Sequence, residues 1–362
     1  MNNEADLKEL ILLLQCPQCK EQESLELIQG AYDFKIPIEL CKKFILCSSC
    51  NEHYPLTSDF IPIMWSTSLK KAFLKINLSE SDLQSESDLQ SEANVSANME
   101  IYDDISEDYG KYIRQDPVLS MRMRNAVKKI FLNKRLDNLM HLDYACGPGH
   151  VIEWLKPFEF KQVGLDVSLE NLRNARQSTG CSVICGDASS MPFRNQTFDL
   201  VTESSSLHHI LDWKSALMES CRICNKKGGV IIDSEPSEMQ MAWGKLAVAF
   251  FNSRFRVYNI LSYFIKSKYM FRDIERAKLN QIQAEIHHQP GTGFPLDLLG
   301  EIIESAGFNV TVIVSPNSEL KSSSNPNWQN IILNILSLRN PWNPDYGTFT
   351  AIATNSKNKD FE

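Results

Sequence analysis

The sequence predicts an α/β protein, a doubly wound and mostly parallel sheet preceded by a small cysteine-paired unit. Three observations carry this expectation. Between 138 and 235, short apolar runs alternate with segments of helical spacing, the pattern of a parallel sheet covered on both faces. One junction, Leu139 to His150 (LMHLDYACGPGH), passes from an apolar run through Cys146-Gly147-Pro148-Gly149 into Val151, Ile152, Trp154 and Leu155. Two C-x-x-C pairs, Cys16/Cys19 and Cys47/Cys50, stand within the first 65 residues.

Residues 1–65 form the first unit. Each C-x-x-C presents two thiolates from one tight turn, and two such turns supply the tetrahedral S₄ shell that Zn²⁺ prefers. The 27 intervening residues, 20–46, have room for a hairpin, suggested by Leu25 to Ile28 and Phe44 to Leu46. Four sulfurs leave no open position, so the metal is expected to be structural, with Cys41 and His53 as reserve ligands. Residues 66–98 read as an acidic, serine-rich linker containing SESDLQ twice in tandem, at Ser79–Gln84 and Ser85–Gln90, with little to bury.

The second domain spans 99–355. Arg122, Arg124, Lys128, Lys129, Lys134 and Arg135 form a basic stretch at helical spacing, expected as a solvated face. Strands are expected at 139–145, 160–166, 181–186, 198–203 and 228–234, with helices at 150–156, 168–178 and 213–225. Residues 236–292, rich in aromatic residues from Met239 to Phe271, interrupt the alternation beside the carboxyl ends of the strands, where a helical lid fits. The domain closes with a helix at 294–307, a strand at 308–314, a helix at 328–338 and a strand at 348–354.

The glycine turn matters chemically. Missing Cβ atoms permit φ > 0 and let a ligand lie on the backbone, and the next helix offers unpaired N–H groups at its start. The turn lacks G-x-G-x-x-G spacing, so a pyrophosphate is not the expected guest. Asp166 ends the next strand about 20 residues on, where an acid can bond ribose hydroxyls. Val183 to Phe193 (VICGDASSMPF) ends its strand in Asp187, followed by Phe198 to His209 (FDLVTESSSLHH) and Gly228 to Glu235 (GGVIIDSE).

This series resembles the class I S-adenosylmethionine-dependent methyltransferases that share a type-11 methyltransferase domain. Asp143, Ala145, Gly147 and Gly149 match the family's first motif, Asp166 its ribose-binding acid and Asp187 its adenine-facing acid. Phe198-Asp199-Leu200-Val201 and Leu207-His208-His209 match its fourth-strand motif. Arg222 to Gly229 departs from the usual R-V-L-K-P-G-G, with a cysteine for leucine, one added residue and no proline. The resemblance implies a Rossmann-like seven-stranded sheet. It also implies S-adenosylmethionine as methyl donor, held by Tyr102, Tyr109, Asp143, Ala145, Gly147, Gly149, Asp166, Val167, Asp187, Ala188 and Glu203. His208 and His209 become the candidate catalytic bases. The cysteine unit, with its Tyr54-Pro55 and Ile61-Pro62-Ile63, resembles the zinc ribbon found beside some methyltransferases.

The chain has 362 residues and a net charge of −8, which argues against a broad phosphate-binding surface. No secretory signal opens it, and its 10 cysteines suit a reducing, cytoplasmic compartment. Two functions from different classes stay open. One is a small-molecule methyltransferase whose acceptor is apolar or aromatic. The other is a ribosomal- or transfer-RNA methyltransferase that grips RNA through its zinc module. A third reading is a non-catalytic cofactor-binding scaffold. The position after the fourth strand reads Glu203-Ser-Ser-Ser-Leu-His-His rather than N-P-P-Y, which disfavours base-amine methylation of DNA. The oligomeric state is not specified.

Overall fold

A computed structural model describes residues 4–36, 38–74, 86–114, 116–132, 138–262, 282–314, 328–342 and 347–354. The chain begins with helix α1 (Glu4–Ile11), which buries Leu7, Leu10 and Ile11. Strands β1 (Leu25–Gln29), β2 (Leu40–Cys47) and β3 (His53–Thr57) form an antiparallel sheet, with Leu25 opposite Cys47 and Leu46 opposite His53. A two-residue strand, β4 (Ile63–Met64), follows.

Helices α2 (Thr67–Leu74), α3 (Glu86–Ile113) and α4 (Pro117–Ile130) lead into the large sheet. Asp116 caps α4 by accepting from the N–H groups of Val118 and Leu119 at 2.9 and 3.0 Å, and Pro117 takes the first helical position, where no N–H is needed. The alternation then runs β5 (Met140–Tyr144), α5 (His150–Leu155), β6 (Lys161–Asp166), α6 (Leu169–Thr179), β7 (Ser182–Gly186), β8 (Phe198–Ser204), α7 (Trp213–Ile223) and β9 (Cys224–Pro236). Helices α8 (Glu238–Met241), α9 (Lys245–Ser262) and α10 (Leu296–Ser305) precede β10 (Asn309–Val314). Helix α11 (Trp328–Leu336) and β11 (Thr348–Thr354) complete the domain.

The large sheet has the order β10-β11-β9-β8-β5-β6-β7-β4. Pairing from β9 across to β4 is parallel, while β11 runs antiparallel to β9 and β10. Connections leave β5 in one direction towards β7 and resume from β8 in the other. The crevice at the carboxyl ends of β5 and β8 is therefore the switch point where doubly wound sheets bind ligands. Alternation along β9 shows how both faces are covered. Val230 and Ile232 join Leu142, Leu165 and Val201 in one core cluster, whereas Ile231 joins Leu200, Ile352 and α4's Met123, Val127 and Ile130 in the other.

Four findings differ from the sequence expectations. The seven expected strands are joined by an eighth, β4 from the cysteine unit, whose Ile63 pairs with Cys185. Residues 66–98, expected as a tether, hold α2 and the first half of α3. The reason is that Leu69, Ala72 and Phe73 find a core, and the second SESDLQ copy consists largely of helix-compatible residues. Arg122 is not on a solvated face. It is buried against Asp233 with Nη2 2.8 Å from Oδ2, and it also donates to Ser234 Oγ. Strand β9 begins at Cys224, four residues before its expected start. Among the described residues, no helix is long and apolar enough to cross a membrane.

Candidate functional site

The glycine turn after β5 folds as a chain of left-handed residues, with φ of 47° at Ala145, 52° at Gly147 and 84° at Gly149, and Gly149 heads α5. Asp166, at the end of β6, ties this turn to the next helix. Its Oδ2 accepts from the N–H of Gly147 and its Oδ1 from the N–H of Ser168, both at 2.8 Å. Burial pushes this carboxyl up to about 6, against the pull of those two donors. Asp143 lies deeper. Its Oδ1 accepts from Thr202 Oγ1 at 2.7 Å, its Oδ2 is buried without a partner, and burial pushes it up to about 8. Asp187, at the end of β7, accepts from the N–H and hydroxyl of Ser189 through Oδ1 and from Ser66 Oγ through Oδ2 at 2.8 Å.

A cavity joins these groups. Its lining includes Ala145, Gly147, Asp166, Val167, Asp187 and Ala188, together with Tyr102 and His209, so these predicted residues are brought to one place. Counted with the open solvent at its mouth, the space inside it is about 760 Å³. Other lining residues were not foreseen. These are Asn94, Val95 and Asn98 from α3, Asn171 from α6, Pro148 and His150 from the turn, Gly186 at the end of β7, and Ser204, Ser205, Ser206 and Ile210 at and after the end of β8. The i, i+4 spacing of Asn94 and Asn98 on one helical face was a usable signal.

The remaining predicted residues stand apart from the lining. Gly149 lies beneath, where a Cβ would come within 2.9 Å of Ala175 Cβ. Glu203 turns to the back of the strand, its Oε1 accepting from the N–H groups of Ser206 and Leu207 at 2.6 and 2.9 Å. Glu235 shares the Leu207 N–H and holds His208, whose Nδ1 lies 3.0 Å from its Oε2. Burial and the neighbouring Glu235 push Glu203 well above the usual carboxylate range. Although burial opposes both shifts, the Glu235–His208 contact holds Glu235 down and His208 up, as an ion pair requires. His208 is therefore committed to a buried pair and is not among the described residues of the cavity wall. The side chain of Tyr109 lies outside the described residues. His209 bonds Tyr102 Oη through Nε2 at 2.7 Å and Ala284 O through Nδ1 at 3.1 Å. Burial, then the adjacent His208, lower its proton affinity well below that of a free imidazole.

The four cysteines converge as expected. Their Sγ atoms lie within 4.8 Å of one another, with Cys16 and Cys50 at 3.6 Å and Cys19 and Cys47 at 3.6 Å. Four Zn–S bonds of ~2.3 Å in a tetrahedron set sulfurs roughly 3.8 Å apart, so the cage has the size of a zinc site. Tyr54 Oη and Ser24 Oγ approach Cys16 and Cys47 at 3.0 and 3.1 Å, and can donate to thiolates. The reserve ligands lie outside the cluster, Cys41 pointing to Lys43 O and His53 stacking on Tyr32 at 4.3 Å.

A family model for the methyltransferase domain matches residues 142–232, the stretch that carries the glycine turn, the three acids and the end of β8. Residues 142–232 are a methyltransferase domain. The chain is 29% identical over 155 residues to a demethylmenaquinone methyltransferase of Shouchella clausii, a match covering 40% of this chain and 65% of that protein. It is 36% identical over 93 residues to a mitochondrial arginine-hydroxylase of Danio rerio, covering 25% and 29%. The chain spans less than two thirds of the length of these curated relatives. A solved structure of a Haloferax volcanii complex between the Trm112 methyltransferase activator and a methyltransferase aligns with a TM-score of 0.43 at 15% identity, covering 70% of this chain and 97% of that one.

Proposed function

We propose that the chain transfers a methyl group from S-adenosylmethionine to a small-molecule acceptor, with a structural zinc ion in its N-terminal unit. The observation that carries this is the row of acids around one cavity. Asp166 and Asp187 line it, the acids that the resemblance gives to ribose hydroxyls and an adenine amine, and Asp143 Oδ2 is buried with no partner behind the glycine turn. Further buried acceptors without partners, Asn98 Oδ1 and Asn171 Oδ1, belong to residues of the same wall, so the residues present fit a nucleoside ligand rich in N–H and O–H donors. When bound, the cofactor supplies the electrophilic methyl and its leaving group. The protein's part is to hold donor and acceptor in line.

The N-terminal unit's charge favours the small molecule over RNA, since residues 1–65 carry five lysines against ten acidic side chains, a net −5. Titration calorimetry with S-adenosylmethionine, wild type beside Asp166→Ala, tests the reading, with zinc measured on the same preparation. Binding that is lost in the variant, with about one zinc per chain, is the expected result. A folded wild-type protein that binds no S-adenosylmethionine would overturn the reading, and one that binds it without methylating any acceptor would leave the cofactor-binding scaffold in its place.

A further inference from the structure

Six exposed large apolar side chains gather where α8, α9 and α11 meet. Met239 belongs to α8, Leu246 and Phe250 stand one turn apart on α9, Ile335 lies in the last turn of α11, and Leu338 and Trp342 follow it. The helices are tied together there. Gly244 N donates to Ser337 Oγ at 3.0 Å and Arg339 Nη1 to Met239 O at 2.7 Å, and a Cβ on Gly244 would come within 3.2 Å of Ser337 Cα. Single exposed apolar residues are ordinary on a protein surface, whereas six around one joint mark an interaction surface.

Leu338 adds a second observation. Helix α11 closes in a Schellman turn, with Leu338 N donating to Ile335 O at 3.0 Å and Arg339 N to Asn334 O at 2.9 Å. The residue at that turn needs positive φ, and Leu338 sits at 58°, where glycine is the ordinary choice. Its side chain is 94% exposed, so it adds nothing to the core to offset the strain. A branched apolar residue held in a strained backbone and aimed at solvent fits a residue that becomes buried only against a partner. Trp342, 67% exposed, stands four residues on.

Charge decides between partners. Residues 238–262 and 328–342 hold four basic side chains, Lys245, Arg254, Arg256 and Arg339, against one acid, Glu238, a net +3 in a chain of net −8. Leucine, phenylalanine and tryptophan interspersed with lysine and arginine, on a helix too short of apolar residues to span, is the composition of a segment that lies in a lipid headgroup layer. A nucleic acid would use the cations but leave the leucines in water. A second copy of this chain, face to face, would set like charges against each other. We infer that this corner docks on an anionic lipid bilayer, with Leu246, Phe250, Leu338 and Trp342 entering the headgroup layer and Lys245 meeting lipid phosphates. Strand β9 passes into α8 at the carboxyl end of the sheet, the end where Ser204 and Asp187 line the cavity, so docking sets that end of the sheet towards the membrane. The docking does not depend on the methyl-transfer reading, and its test reads no activity.

The test is flotation of the full-length protein with vesicles of phosphatidylcholine, alone or mixed in equal parts with phosphatidylglycerol. Binding to the anionic vesicles is expected, at least about tenfold weaker on phosphatidylcholine alone and falling as salt is added. Lys245→Gln should weaken it by about fivefold, the scale of one cation at a lipid surface. Trp342→Ala and Leu246→Ser should each weaken it by about tenfold, the scale of one large apolar side chain left in water. Leu338→Gly separates docking from folding. It should weaken vesicle binding by about tenfold and raise the urea midpoint, because glycine relieves the left-handed backbone. No flotation with either vesicle overturns the inference, as does flotation unchanged in Leu338→Gly and Lys245→Gln. A lower urea midpoint in Leu338→Gly also overturns it and returns Leu338 to the fold. Binding to poly(U), or a concentration-dependent dimer, that disappears in Leu338→Gly while vesicles are not bound overturns it and gives the surface to RNA or to a second copy.

Discussion

Replacing Gly147 and Gly149 by alanine, one at a time, separates two jobs done by the same turn. Both residues have positive φ, 52° and 84°, so each alanine carries the left-handed backbone cost of about 1–2 kcal/mol. Their surroundings differ. A Cβ at Gly147 meets nothing within 4 Å, because it stands on the cavity wall. A Cβ at Gly149 comes within 2.9 Å of Ala175 Cβ and 3.0 Å of its Cα, and that backbone cannot step aside without moving α6. Overpacking of this kind adds roughly 1–3 kcal/mol. Gly149→Ala should therefore destabilise the fold by about 2–5 kcal/mol, and Gly147→Ala by no more than the backbone cost. The order reverses for binding. The new methyl of Gly147→Ala occupies space where the cofactor would lie on the chain, so affinity should fall by at least about tenfold, whereas Gly149→Ala acts on affinity only through stability. Urea denaturation without ligand gives the first quantity, and calorimetry with S-adenosylmethionine at a temperature where both variants are folded gives the second. Equal stability losses, or wild-type affinity in Gly147→Ala, would refute the assignment of one glycine to the ligand and the other to packing.

Cofactor binding should depend on pH through Asp166. Its carboxyl is pushed up to about 6 in the free protein, and ribose hydroxyls donate to the ionised form. Binding then lowers its pKa and expels a proton below about pH 6, so the Asp166 contribution should be constant above that pH and weaken affinity below it by up to about tenfold per unit. Calorimetry in buffers of different ionisation enthalpy reads the proton directly, and affinity that rises on acidification would contradict the sign. Ser66→Ala removes the 2.8 Å hydrogen bond to Asp187 Oδ2. It should weaken S-adenosylmethionine binding by a few-fold without altering zinc content, and stripping zinc with a chelator should weaken binding at least as much, measured by the same titration. Arg122→Ala strands the Asp233 carboxylate in the core, leaving it to the hydroxyls of Thr350, Ser234 and Ser204. A loss of about 3–5 kcal/mol in urea denaturation is expected, with part regained in the Arg122→Ala/Asp233→Asn double variant.

What could be read from the residues was whatever repeats with the period of a strand or is held by a turn. Strand β5 runs into the Gly147–Gly149 turn, β6 ends in Asp166, β7 is followed by Asp187 and β8 ends in Ser204, and both C-x-x-C pairs fix their own geometry. Side-chain direction was less legible. Within β8, Glu203 and Ser204 are adjacent, yet alternation sends the first behind the sheet to Leu207 and Glu235 and opens the second to the cavity. His208 and His209 diverge in the same way over a single turn, one towards Glu235 and one towards Tyr102. Composition misled at α3. The serine- and glutamate-rich repeat has the character of a tether, but the helix it begins continues into Asn94, Val95 and Asn98, whose partners at His209 and Gln283 lie more than a hundred residues away. No local window contains those partners.

The cysteine unit is better understood as part of the sheet than as an appendage. Strand β4 lies beside β7, which would otherwise be the exposed edge of a parallel sheet, a row of unpaired backbone groups open to aggregation. Pairing is supported on both flanks. Gln15 N donates to Pro192 O at 3.0 Å and Arg194 Nε to Leu14 O at 3.0 Å on one side, and Arg176 holds both the carbonyl and the carboxylate of Asp59 on the other. Directly after β4 comes Ser66, bonded to the acid at the end of the very strand that β4 covers. The four-cysteine cluster, the edge strand and Asp187 are thus joined by fewer than twenty residues, Cys50 to Ser66, in one continuous run. The zinc ion proposed for Cys16, Cys19, Cys47 and Cys50 would fix the start of that run, and the end of the cavity at Asp187 would take its order from it.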